Sequence, residues 1–154
     1  TRMRTREVLL EWFRILKPGG TLRVAVPDFE ALAVLYIELL AERGNEVDYD
    51  RFGNALSFPL ARVIGPLVGG QTGIYDFHQA IFDFESLKLQ LEDIGFENVR
   101  RYDWRTTEHG EIDDFASSYY PHFAHRGGES NGKLVERSED VDGILLSLNV
   151  EAQK

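Results

Sequence analysis

The feature that most constrains this chain is a short apolar run locked between a helix stop and a proline. Residues 21–26 read Thr-Leu-Arg-Val-Ala-Val and are bounded by Gly20 and Pro27. So short and continuous an apolar run suits a strand buried on both faces of a parallel sheet. Arg23 is its one misfit and belongs near the strand start. Before the run, Leu9, Trp12, Phe13 and Leu16 recur at i, i+3, i+4 and i+7, one face of a helix, with Trp12 and Phe13 read as core. Lys17 falls in that helix's last turn, and Pro18-Gly19-Gly20 stops it. After the run, Asp28 is placed to N-cap a second helix with the stripe Leu32, Leu35, Tyr36, Leu39 and Leu40. Helix–strand alternation of this kind indicates an α/β sheet.

The rest of the chain extends the pattern. Residues 45–73, interrupted by Pro59 and Pro66, read as a helical insertion. Asp83 can cap a third helix, with Phe84, Leu87, Leu91 and Ile94 on one face and Gly95 as its stop. A strand is expected over residues 98–104 and a last one over 144–150, with Glu151 and Lys154 as inert terminal residues. Two strands joined without a helix can be antiparallel neighbours. Between them, residues 106–143 have no period and read as one long loop. The 154 residues fit a single domain.

Charge and composition narrow the function classes. The net charge of −9 argues against nucleic acid or an anionic membrane surface as partner, since phosphate contacts need clustered Lys and Arg. With no cysteine, thiolate catalysis and cysteine-ligated zinc are excluded. No apolar window reaches the roughly 18 residues of a membrane span, and the first residues show no leader pattern. A cytoplasmic protein is expected.

Three segments together resemble one family. Glu11-Trp12-Phe13-Arg14-Ile15-Leu16-Lys17-Pro18-Gly19-Gly20, continuing through the apolar run to Asp28, is similar to the helix, "LKPGG" turn and fifth strand of class I S-adenosylmethionine-dependent methyltransferases. Phe84-Glu85-Ser86-Leu87, continuing through Leu91-Glu92-Asp93-Ile94-Gly95-Phe96-Glu97-Asn98-Val99, resembles their last helix and sixth strand. The run 144–150 fits their seventh strand, antiparallel between strands five and six. Tyr75-Asp76-Phe77-His78-Gln79-Ala80-Ile81-Phe82-Asp83 is similar to a His-containing stretch before that last helix, and Asp113-Asp114-Phe115 with Tyr119-Tyr120-Pro121-His122, followed by Ser147-Leu148-Asn149-Val150-Glu151, looks like a predicted bacterial subgroup often linked with cell-surface polysaccharide genes.

The resemblance implies a partial Rossmann-like sheet, strands five to seven with the last two antiparallel, flanked by helices. It implies S-adenosylmethionine as cofactor and a small molecule or glycan as methyl acceptor. The family's glycine-rich cofactor loop has no counterpart in these residues: none of Gly19-Gly20, Gly69-Gly70 and Gly127-Gly128 follows a strand and opens a helix. The acid after the second strand and the acid-rich turn after the fourth are missing too. The chain is therefore expected to be the C-terminal part of such a fold, with no cofactor-binding residue assignable. Strand 21–26 then lacks its neighbour and presents an apolar edge. That edge invites a homo-oligomer or a complementary N-terminal half.

Each candidate site residue has two readings. Asp28, at the C-terminal end of a sheet strand where ligands of open α/β sheets bind, either faces substrate or simply caps its helix. His78 is either a general base on the acceptor hydroxyl or amine, or a loop histidine bonded to backbone. Tyr75, Asp76 and His122 are candidate substrate contacts. His122 and His125, three apart, match no zinc spacing, so no metal site is expected. Methyl transfer asks little acid–base chemistry, because the sulfonium is a good leaving group and positioning dominates. Two other functions compete with the enzyme: a non-catalytic homologue acting as a binding or dimerisation module, and a hydrolase or isomerase using His78 with the 113–122 loop.

Overall fold

The computed structural model describes residues 2–41, 59–71, 73, 77–108, 110, 117–120 and 144–154. Helix α1 (Arg2–Ile15) leads through the Pro18-Gly19-Gly20 turn into strand β1 (Thr21–Pro27), and helix α2 (Phe29–Ala41) follows at once. Helices α3 (Pro59–Val68) and α4 (Phe84–Ile94) precede β2 (Glu97–Arg101) and a short 3-10 turn (Trp104–Thr106). The two-residue strands β3 (Tyr119–Tyr120) and β4 (Ile144–Leu145) pair with each other, and β5 (Ser147–Gln153) ends the described chain.

Helix α4 forms where the sequence places it. Asp83 Oδ1 accepts the Ser86 amide at 2.8 Å while Ser86 Oγ accepts the Asp83 amide at 3.2 Å, a reciprocal capping box. Those bonds hold the Asp83 carboxyl below its ordinary range, the Ser86 amide contributing most. Gly95 ends the helix at φ 114°, a left-handed conformation. A Cβ there would also sit 3.3 Å from the Phe13 ring. Gly95→Ala is therefore expected to cost about 1–2 kcal/mol through the backbone alone, read as a lower urea midpoint at unchanged slope.

The main sheet has the order β1-β5-β2, with β5 antiparallel to both neighbours. The last strand thus lies between the other two, the arrangement that the family resemblance implies. Register decides the rest. Leu22, Val24 and Val26 lie opposite Ala152, Val150 and Leu148. These side chains share one face and pack with Leu9 of α1, Leu87 and Leu91 of α4, Phe82 and Phe96. The alternate residues Ser147, Asn149 and Glu151 face the other side and are buried as well. A second cluster joins Leu32 and Leu35 of α2 to Val63 of α3 and to Leu146.

Several expectations are corrected. The run 21–26 is not a fully buried strand of a parallel sheet: β1 is only half-buried and pairs antiparallel with β5. One isolated parallel bridge, Asp28 to Phe82, adjoins its end. The buried strand is β5, at the centre. The expected last strand 144–150 is two pieces divided at Leu146, whose amide donates to the Ser118 carbonyl while its carbonyl accepts the Asp28 amide, and whose side chain packs in the α2–α3 cluster. The strand expected over 98–104 is Glu97–Arg101, with Trp104 buried in the 3-10 turn, donating its Nε1–H to the Tyr119 hydroxyl at 3.1 Å. Trp12 is not core but more than a third exposed, since the helix turns it to the side of the sheet rather than onto it.

Glu151 and Lys154 are not inert. Glu151 lies inside β5. The Lys154 ammonium donates to the carbonyls of Phe13 at 2.5 Å and Leu16 at 2.9 Å, closing the C-terminus of α1 where a cation is favoured. Its backbone exchanges bonds with Gly19 and Gly20. The expected insertion over 45–73 contains α3, while its first part, and most of the 106–143 segment, lie outside the described residues.

Candidate functional site

The C-terminal end of β1 is where α2, α4 and β2 converge, and Asp28 sits there, 3% exposed. Its Oδ1 accepts the Glu30 amide at 3.1 Å, which is the helix-capping geometry. Its Oδ2 accepts Arg101 Nη1 at 2.6 Å. Arg101 also reaches Glu30 Oε2 at 3.2 Å and lies over the Phe84 ring. Both oxygens of Asp28 are thus engaged within the protein, and the geometry gives it the work of fixing the start of α2 against β2.

Beside the same strand runs a groove of about 780 Å³. The backbone of Arg23 through Pro27 lies along it, with Val8 and Trp12 of α1 on one side and Phe77, His78 and Ala80 on the other. Hydrogen-bond parity says which groups the strand offers there. The Lys154 amide donates to the Gly20 carbonyl, and the Asp28 amide donates to the Leu146 carbonyl. With the continuous register between them, the even-numbered residues of β1 bond to β5. The odd-numbered ones, Thr21, Arg23, Ala25 and Pro27, direct their backbone groups the other way. Pro27, which has no N–H to offer, falls on this open side, where proline is tolerated in a sheet. The Phe29 amide, also odd, meets the Phe82 carbonyl at 3.0 Å and ends the open stretch.

His78 lines the groove and is exposed. Its backbone amide donates to the Val68 carbonyl at 2.9 Å, and its Nδ1 lies 3.1 Å from the Pro66 carbonyl. A carbonyl only accepts, so Nδ1 carries the proton in that bond. In the neutral ring Nε2 is then left with its lone pair, the form a general base needs. The bonds to Pro66 and Val68 are those of a loop histidine held by backbone, and among the described residues they leave Nε2 facing no protein partner that would prevent a role as base. Tyr75, Asp76 and His122 lie outside the described residues, as do His125 and the 113–116 stretch. Among the described residues no group of three or more His, Asp or Glu side chains is arranged to hold a metal ion.

On the polar face of the sheet, a charged row crosses all three strands. Glu151 Oε1 accepts Arg100 Nε at 2.8 Å and Nη2 at 2.6 Å, and Oε2 accepts Arg23 Nε at 3.0 Å. Arg23 Nη1 also pairs with Glu108 at 2.9 Å. The Arg100 bonds foremost, then those of Arg23, hold the Glu151 carboxyl below its usual range, and the Glu108 and Glu151 partners raise the Arg23 guanidinium. Nearby, Asn149 Nδ2 donates to Ser117 Oγ at 2.7 Å, fastening residues 117–120 onto β5.

Over part of its length the chain is similar to a methyltransferase. It is 33% identical over 103 residues to the ubiquinone/menaquinone biosynthesis C-methyltransferase UbiE of Cronobacter sakazakii, a match covering 62% of this chain and 34% of the relative. The chain thus spans about a third of the length of the curated relative it matches. No family model and no solved structure matches. The match supports a methyltransferase relationship, and the mixed α/β fold with its small antiparallel sheet is compatible with one. No helix among the described residues is long and apolar enough to cross a membrane.

Sequence reasoning missed two parts of this region. The groove wall was detectable: Val8 and Trp12 recur at i and i+4, an apolar pair beside the stripe through Leu9. Glu151 carried no local signal, because its two partners lie 51 and 128 residues away.

Proposed function

We propose that this chain is the acceptor-side part of an S-adenosylmethionine-dependent methyltransferase, acting on a small molecule or glycan. The cofactor loop would come from residues beyond these 154. What supports the reading is the partial match to a C-methyltransferase, on a chain whose "LKPGG" turn enters an edge strand and whose last strand runs antiparallel between two others. His78 is the residue we assign to take the acceptor proton, on the strength of its Nδ1 anchor to Pro66. Isothermal calorimetry with S-adenosylmethionine tests the reading, on the 154 residues and on any longer form carrying upstream sequence. Binding to the longer form alone is the expected result. Failure of both forms to bind overturns the enzyme and leaves the non-catalytic binding module.

The open side of β1 is the contact we assign to a partner strand, from a second copy or from a complementary N-terminal half. Among the described residues no strand pairs with this edge, and an open apolar strand edge is a template for such pairing. Ala25→Pro removes one outward amide and no bond to β5, whereas Val24→Pro removes a bond of the β1–β5 ladder. Light scattering and Trp12 fluorescence are expected to show association lost in Ala25→Pro with its circular dichroism kept, and the fold itself disturbed in Val24→Pro. Undiminished association of a folded Ala25→Pro protein would remove β1 as the contact.

A further inference from the structure

We draw no further inference here: the strongest candidate, the groove along the open edge of β1 between α1 and residues 77–80, belongs to the site already described, and nothing in the structure shows what covers the exposed apolar residues of α2 and α3.

Discussion

Leu91→Ala is expected to destabilise the protein by about 2–5 kcal/mol, while Leu89→Ala, two residues away in the same helix, costs no more than about 0.5 kcal/mol. Leu91 is fully buried between the sheet and α1, and Leu89 is 64% exposed. Both substitutions exchange one good helix former for another, so helix propensity does not separate them. What separates them is the cavity. Removing the Leu91 side chain leaves a void against Leu148 and Val150 of the central strand, whose neighbours can collapse only in part. A domain holds roughly 5–15 kcal/mol in all, so the Leu91 variant should unfold at markedly lower urea with unchanged slope. Equal midpoints for the two variants would mean that the α4–sheet packing described here is not the native core.

Leu91 was legible in the sequence because a helix repeats its faces locally. Phe84, Leu87, Leu91 and Ile94 mark the stripe, Asp83 and Gly95 mark the ends, and all of these depend on residues within one or two turns. The place of the last strand was legible through the family resemblance, not through any period. What stayed hidden depends on contacts distant in sequence. Trp12 obeys the same helical spacing as Leu9, yet only tertiary placement decides that α1 buries Leu9 and turns Trp12 toward the groove. Leu146 looks like the middle of one apolar strand, yet its amide bonds to Ser118 and its carbonyl to Asp28, and its side chain enters the second core of α2 and α3. Of the candidate site, His78 was legible as a residue, but its anchor on the Pro66 carbonyl was not, since that bond joins two segments with no shared pattern. Asp28 was legible as a cap, and the arginine that engages its second oxygen comes from β2.

Glu151 is the extreme of this hidden class, and its removal should be the most damaging polar change in the sheet. Its side chain is 12% exposed, and it receives bonds from Arg23 on one neighbouring strand and Arg100 on the other. Glu151→Ala leaves two guanidinium groups facing each other across β5. Breaking a buried pair from one side costs roughly 3–5 kcal/mol. Arg100 is 73% exposed and can turn to water, and Arg23 keeps Glu108, so about 2–3 kcal/mol is the expected loss here. Glu151→Gln should lose less, because the amide oxygen still accepts one arginine.

The pH dependence gives the sharper test. Arg100 and Arg23 hold the folded carboxyl below its unfolded value, which for glutamate is about 4.3. The folded state therefore releases this proton more readily than the unfolded one. Its contribution is complete above about pH 4.3 and is lost as pH falls through the lower, folded value. The stability gap between the native protein and Glu151→Gln should thus be constant from neutral pH to about pH 5 and shrink below about pH 4. Urea unfolding of both proteins across that range measures it. A gap that persists undiminished at pH 3 would show that Glu151 acts through shape and hydrogen bonding alone, and that the row of charges across the three strands contributes nothing as charge.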